Sequence, residues 1–242
     1  MRVAALYDVH GNLPALKAVL AEVDAEVILA GGDVVLGPMP GECLERLQER
    51  GATFIRGNCE RLVVSPPELA EDLWDARARW VHEQLEDEQL AFLAGLPLLA
   101  SLEVDGLGPT LFCHASPRSD EEILTAITPP KRLDPILDGV RERTVVCGHT
   151  HVQFDRLLGD RRLVNAGSVG MAYQGKAGVA CWALLGPDVD LRQARYDAEA
   201  AAAAIRTSGL PGADEFAEEY VLHPTSPEEA TAHFEGIADR SR

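Results

Sequence analysis

Short apolar runs alternate with helically spaced apolar positions from the start of the chain. Val3 to Tyr7 is an unbroken apolar run that stops at Asp8, the pattern of a strand buried on both faces. Asn12 to Val23 then places Leu13, Leu16, Val19, Leu20 and Val23 on one helical face, with Pro14 in the first turn where a helix tolerates it. Glu26 to Ala30 predicts a second strand, ending in Gly31-Gly32-Asp33. A helix over 40–50 leads to a third strand, Ala52 to Ile55, which ends in Arg56-Gly57-Asn58. Such alternation predicts a parallel α/β beginning.

Residues 66–95 read as two helices with no strand between them. Leu69, Leu73, Ala76, Trp80 and Leu85 mark one face, and Leu90, Phe92, Leu93 and Leu96 the next. After Leu98 the pattern turns to strands: Leu98 to Val104 and Thr110 to Cys113 flank a glycine-containing turn, which predicts a hairpin. A helix over 130–140, the run Thr144 to Cys147 and three or four short strands carry the chain to Tyr196. Beyond Asp197 the sequence is helical and rich in Ala and Glu, over 197–207, 214–222 and 227–238. This tail carries no chemical constellation, and packing or contact between copies in a homo-oligomer is its expected role. One domain is predicted over 1–242, with a helical insertion at 66–95 and a helical tail at 197–242.

Composition narrows the function. Hydrophobic residues make up 46% of the 242 positions, enough for a large core, so disorder is excluded. The formal net charge is −17 and the basic residues form no long run, which argues against an extended nucleic-acid surface. A small anionic substrate still fits if bound cations dominate the field in one cleft. Cys43, Cys59, Cys113, Cys147 and Cys181 are scattered without CxxC spacing, and the last three sit in apolar runs as small core residues. With no apolar signal core and no run long enough to span a bilayer, a cytoplasmic protein without a membrane partner is expected.

Five short polar signals each follow a strand-like run: Asp8-Val9-His10, Gly32-Asp33, Gly57-Asn58, Cys113-His114 and Gly148-His149-Thr150-His151. Residues two apart in an extended segment face the same side, so Asp8 and His10 can aim at a common point, as can His149 and His151. If the chain curls there, the two imidazoles can instead diverge to neighbouring ions. Any one signal alone is an ordinary turn; five in the same context point to metal chemistry. Carboxylate with imidazole suits Mn, Fe, Zn or Ni better than Ca or Mg, which prefer oxygen shells.

This ordered set resembles the calcineurin-like metallophosphoesterase superfamily. The segment Leu163-Val-Asn-Ala-Gly-Ser-Val-Gly170 is similar to the strand and glycine turn that follow the last histidines in its small bacterial phosphodiesterase branch, and the likeness spans residues 1–196. The resemblance implies a four-layer αββα sandwich with the site on loops at strand ends. It implies that Asp8, His10 and His151 hold one divalent transition-metal ion, that Asn58, His114 and His149 hold a second, and that Asp33 bridges them. Manganese is favoured. Two such ions, about 3.5–4 Å apart, would supply hydroxide near neutral pH for in-line attack at phosphorus. Asn58 would also meet a phosphate oxygen through its NH₂.

The implied activity is hydrolysis of a small or nucleotide-like phosphate ester, with phosphodiesters preferred. A protein Ser/Thr phosphatase and a dinucleoside polyphosphate hydrolase share the motifs, and the fold also serves as a non-catalytic scaffold. Many members continue the asparagine motif with a histidine that protonates the leaving group, whereas this chain reads Gly57-Asn58-Cys59-Glu60. A thiol, with a reference pKa of about 8.5, is a poor substitute for imidazolium. His223 and His233 are expected on the surface and His82 at the surface or a cap. In the insertion Trp74 and Arg77, three apart, share a helix face and are candidates for stacking on a base or pairing with phosphate, with core packing as the alternative.

Overall fold

Strand β1 (Val3–Leu6) is buried on both faces because alternate residues enter different cores. Val3, Ala5 and Tyr7 pack with Phe112, Val146 and Val164 across a sheet-to-sheet interface. Ala4 and Leu6 pack with Leu16, Val19 and Leu44 from covering helices. This explains the unbroken apolar run, since neither face meets water.

The structure is a computed structural model and describes residues 1–240. Parallel β1, β2 (Val27–Ala30) and β3 (Thr53–Phe54) are joined by α1 (Leu13–Glu22) and α2 (Pro40–Glu49). The Asn12 side chain caps α1 by accepting the Ala15 N–H at 3.2 Å. After β3 come α3 (Asn58–Val64), α4 (Leu73–Gln84) and α5 (Asp87–Ala94). The hairpin β4 (Leu99–Val104) and β5 (Gly108–Cys113) follows, then α6 (Pro130–Leu137) and β6 (Thr144–Cys147). Four further strands are β7 (Phe154–Leu158), β8 (Arg161–Asn165), β9 (Val179–Leu185) and β10 (Val189–Arg195). The tail holds α7 (Ala198–Arg206), α8 (Ala213–Phe216), which continues as a π-helical turn over Ala217–Leu222, and α9 (Pro227–Arg240).

Two mixed five-stranded sheets result, ordered β10-β9-β1-β2-β3 and β4-β5-β6-β8-β7. They pack face to face, with α1 to α5 over the first and α6 over the second, which is the expected αββα layering. The parallel strands β1, β2 and β3 of one sheet and β5, β6 and β8 of the other leave their carboxyl ends at one edge of the sandwich. Among the described residues no helix is long and apolar enough to cross a membrane. All five cysteines are buried free thiols.

Two local expectations need correction and a third is extended. Gly57-Asn58, read as a loop, opens α3: Gly57 is its N-cap and donates its N–H to Glu60 Oε2 at 2.8 Å. The inward face of α4 is Arg77, Ala78 and Val81 rather than the stripe through Leu69, which precedes the helix and is 80% exposed. The tail packs as expected through Ala201, Ile205 and Phe216, but its cluster also takes in Trp74 and Trp80 of α4 and so joins the tail to the insertion.

Candidate metal centre

All seven candidate donors gather where the parallel strands end. Level pairing of Val3 to Leu6 with Val27 to Ala30 brings the two strand ends together. Asp8 then donates its N–H to the Gly32 carbonyl at 3.1 Å, and His10 to the Asp33 carbonyl at 2.9 Å. Open α/β sheets place binding sites at this carboxyl edge.

The chain curls tightly here. Asp8, His10, Asp33, His149 and His151 have φ between 45° and 65°, and they are the only non-glycine residues with positive φ among those described. Each such residue costs on the order of 1 kcal/mol or more unless its surroundings hold it. Five of the seven candidates thus sit in a disfavoured conformation that aims their side chains inward. Gly32, at φ 92°, meets a harder limit: a Cβ there would lie 2.6 Å from the Gly57 nitrogen and 2.7 Å from His114 Nδ1.

The donors form two groups that meet at Asp33. In the first, His151 Nε2 lies 3.3 Å from His10 Nε2 and 3.4 Å from Asp8 Oδ1. In the second, Asp33 lies with His114 and His149, and His114 Nε2 is 3.3 Å from Asp33 Oδ2 and 3.1 Å from Asn58 Oδ1. Asp33 Oδ2 is also 3.9 Å from His10 Nε2, so one carboxylate faces both groups.

Proton bookkeeping shows that the arrangement fits cations. His10 donates Nδ1–H to the Leu36 carbonyl at 3.2 Å, and His151 donates Nδ1–H to the Met171 carbonyl at 3.0 Å. His10, neutral at pH 7, then presents a bare Nε2 lone pair, and His151 Nε2 faces it. Asp8 Oδ1 is buried and accepts no hydrogen bond, while Asp8 Oδ2 accepts the His149 N–H at 2.9 Å. Buried lone pairs without donors are costly in a protein interior and are what a divalent ion satisfies.

Burial pushes His10 down to about 4, with His151 adding to the effect. Burial likewise lowers His149 to about 4, with His114 adding to it. Both are therefore neutral donors at pH 7. His114 goes the other way: burial opposes its charge, but the Asp33 and Asp8 carboxylates win and raise it to about 10.

A ring of partners fixes these groups. Glu60 is fully buried and accepts the N–H groups of Asp33, Val34 and Gly57 at 2.7, 2.7 and 2.8 Å, tying the β2 end to the β3 end. Cys59 donates its N–H to Asp33 Oδ1 at 2.9 Å and its S–H to Asp33 Oδ2 at 3.0 Å. Burial first, and then the Asp33 charge, pushes the Cys59 thiol well above its ordinary range, so it stays protonated. Asn165 Nδ2 donates to the Gly148 carbonyl at 2.6 Å, and Ser168 Oγ donates to the Asp8 carbonyl at 2.8 Å. The segment Leu163 to Gly170 thus holds both histidine loops in place.

A cavity of about 430 Å³ opens over the donors. His10, Asp33, Asn58, Cys59, His149 and His151 line its floor, and Trp74, Tyr173, Tyr220, His233 and Phe234 line its walls. Tyr173 stacks on His151 with ring centroids 5.2 Å apart, and Trp74 lies 6.1 Å from His10. Among the described residues no Lys or Arg lines the cavity.

Of the two insertion candidates, only Trp74 reaches this space. Arg77 is 1% exposed and donates to the carbonyls of Pro211 and Gly212 at 3.1 and 3.2 Å, which fastens α4 to the tail. Arg56 and Arg61 pair with Asp120 outside the cavity. His82 lies against the Val63 carbonyl, with Nδ1 at 2.9 Å.

The tail holds what the sequence did not disclose. Tyr220, His233 and Phe234 lie on the cavity, and the Phe234 ring is 6.4 Å from both His149 and Tyr173. His233 is exposed as expected, but on the side that looks into the cleft.

A family model described as the calcineurin-like phosphoesterase superfamily domain matches residues 1–185, so the tail lies beyond it. An uncharacterized protein of Methanocaldococcus jannaschii is 26% identical over 234 residues, covering 86% of this chain and 93% of that protein. A metallophosphoesterase from Sphaerobacter thermophilus aligns with a TM-score of 0.71 at 27% identity, over 90% of this chain and 97% of that one. A hypothetical protein from Pyrococcus horikoshii OT3 shares the fold with a TM-score of 0.78 at 22% identity, over 93% of this chain and 99% of that one.

Proposed function

The chain belongs to the calcineurin-like phosphoesterase superfamily, and on that premise we propose that it hydrolyses small, nucleotide-like phosphodiesters with two divalent transition-metal ions. The observation that carries this reading is the convergence of His10 Nε2, His151 Nε2 and the buried Asp8 Oδ1, with each ring held by a bond from its Nδ1–H to a backbone carbonyl. Asp8, His10 and His151 would hold one ion, and Asn58, His114 and His149 the other, with Asp33 between them. The mixture of imidazole, carboxylate and carboxamide donors suits manganese, iron, zinc or nickel, with manganese favoured. When bound, such ions neutralise phosphoryl charge and make water nucleophilic near neutral pH.

The chain's own residues supply binding and order. Asn58 turns Oδ1 toward His114 Nε2, and its NH₂ gives one N–H to Cys59 Sγ at 3.7 Å and keeps the other to donate to a phosphoryl oxygen. Cys59 and Glu60 hold Asp33 so that one carboxylate serves both groups. The absence of Lys and Arg from the cavity walls leaves charge neutralisation to the cations. Four aromatic side chains, Trp74, Tyr173, Tyr220 and Phe234, favour a substrate with a flat face, such as a base. A volume of about 430 Å³ admits a small molecule and excludes a folded partner.

The test is turnover by the manganese-loaded protein of a panel of aryl diesters, monoesters, cyclic nucleotides and dinucleoside polyphosphates. Preference for small diesters is expected. Preference for monoesters or polyphosphates would overturn the diester reading, and inactivity on every ester the phosphoesterase reading itself.

A further inference from the structure

We propose that His233, from the last helix of the tail, is the general acid that protonates the departing oxygen. The inference rests on the phosphoesterase reading above and names a group that this reading lacks. Cleaving an ester of an ordinary alcohol expels a strongly basic oxygen, and a positioned proton donor lowers that barrier.

The cavity offers few donors. Its lining contains no Lys or Arg. The Cys59 S–H is already given to Asp33 Oδ2 at 3.0 Å, and the thiol is buried. Burial raises Tyr220 above its ordinary range, which makes it a weak acid, and the Tyr173 ring is stacked on His151 with centroids 5.2 Å apart. His10, His149 and His151 are donors of the metal centre. His233 is the remaining histidine on the lining, and it shares the cavity with Asn58, where the phosphoryl group would sit.

Its position is fixed. The next residue, Phe234, seats its ring between His149 and Tyr173, 6.4 Å from each. One residue further, Glu235 accepts hydrogen bonds from Thr125 Oγ1 at 2.5 Å, Thr128 Oγ1 at 2.7 Å and Arg132 Nη2 at 2.6 Å. These contacts pin α9 to the segment leading into α6. The backbone that presents His233 is therefore held by the two residues that follow it, while the imidazole stays in reach of solvent.

In the proposed step a water-derived oxygen forms the new bond to phosphorus. The bond from phosphorus to the leaving oxygen breaks, and its electron pair stays on that oxygen. The protonated His233 ring gives its N–H proton to that oxygen, so the product leaves as a neutral alcohol. His233 is left as neutral imidazole and regains a proton from bulk water, which also takes up the proton lost by the attacking water. The net change is diester plus water to monoester plus alcohol.

The experiment uses the full chain loaded with manganese and compares wild type with His233→Gln and His233→Ala. Substrates are diesters whose leaving groups run from nitrophenol to simple alkanols. Metal content and Tm are measured on each sample, and the ¹⁸O isotope effect at the leaving oxygen is read on a mid-range substrate. The expected result is a loss of about 100-fold or more on alkyl esters, a far smaller loss on nitrophenyl esters, and a larger isotope effect, at constant metal content. Added imidazole should restore part of the alkyl-ester rate in His233→Ala. An equal loss across the series, or none, in variants that keep their metals would overturn the assignment and leave the phosphoesterase reading standing. A metal-loaded wild type that cleaves no ester would overturn both.

Discussion

His10 Nε2 and His151 Nε2 stand 3.3 Å apart, turned toward each other because each ring gives its Nδ1–H to a backbone carbonyl. Asp8 Oδ1 lies 3.4 Å from His151 Nε2, so three candidate donor atoms converge on one point. The two histidines lie far apart in sequence and are held by Leu36 and Met171, whose carbonyls fix both tautomers. The fold therefore holds three donor atoms at a spacing that could take a cation.

The pH dependence of the metal-free protein follows from the same electrostatics. His10 and His149, at about 4 when folded, lie below the ordinary value near 6.5, so the unfolded chain binds more protons between these limits. Their contribution is complete above about pH 6.5 and is lost as pH falls toward 4. His114, raised to about 10, stabilises fully below about 6.5 and loses its contribution as pH rises through 10. Chelator-treated protein should accordingly show its highest Tm near pH 6.5, falling on both sides. Manganese should flatten the alkaline limb, and calorimetry in buffers of different ionisation enthalpy should show release of about one proton per chain on loading at pH 7.5. A Tm unaffected by manganese at pH 9 would contradict this.

Cys59 is expected to act by orienting Asp33 rather than as a nucleophile. Cys59→Ser keeps a donor toward Asp33 Oδ2 and should retain metals and most of the activity. Cys59→Ala should weaken metal binding by about tenfold, the scale of a lost supporting hydrogen bond. In a His233→Ala background, which lacks the proposed acid, Cys59→His should reduce the dependence of rate on leaving-group pKa. A loss above about 100-fold in Cys59→Ser with metals retained would instead give the thiol a chemical role.

Trp74 and Arg77 should separate cleanly. Trp74 lines the cavity, so Trp74→Ala should raise KM for a nucleotide diester several-fold with a much smaller effect on a minimal aryl ester. Arg77 is buried against the carbonyls of Pro211 and Gly212, so Arg77→Ala should cost about 3 kcal/mol of stability by loosening the tail. Denaturant unfolding with paired kinetics on both substrates checks this. An Arg77→Ala protein with unchanged stability and raised KM would place the guanidinium in substrate binding.

The gathering of the candidate donors was legible because each falls within a few residues of the end of an apolar run, so strand ends could be read without knowing how the sheets pack. Asp8, Asp33, His114 and His149 illustrate this. Helix α3 was hidden, since its seven residues begin on the asparagine motif itself and are too few to show a period. Spacing put Trp74 and Arg77 on one face but could not say that α4 turns the ring to the cleft and the guanidinium to the tail. His233 and Phe234 were the least legible. Their place on the cavity is set by contacts such as Glu235 with Thr125, 110 residues away in sequence, and a surface-like amphipathic helix carries no mark of what it covers.

Metal content of Asp33→Ala tests the central claim most directly. Asp33 Oδ2 faces His114 Nε2 at 3.3 Å and His10 Nε2 at 3.9 Å, so one carboxylate should serve both ions. Elemental analysis of protein expressed in manganese-supplemented medium should find about two ions per wild-type chain, the number expected of a two-metal phosphoesterase site. Asp33→Ala should lose most of both, and Asp8→Ala chiefly one. A saturated wild type with a single ion, or Asp33→Ala that keeps its full complement, would contradict the dinuclear account.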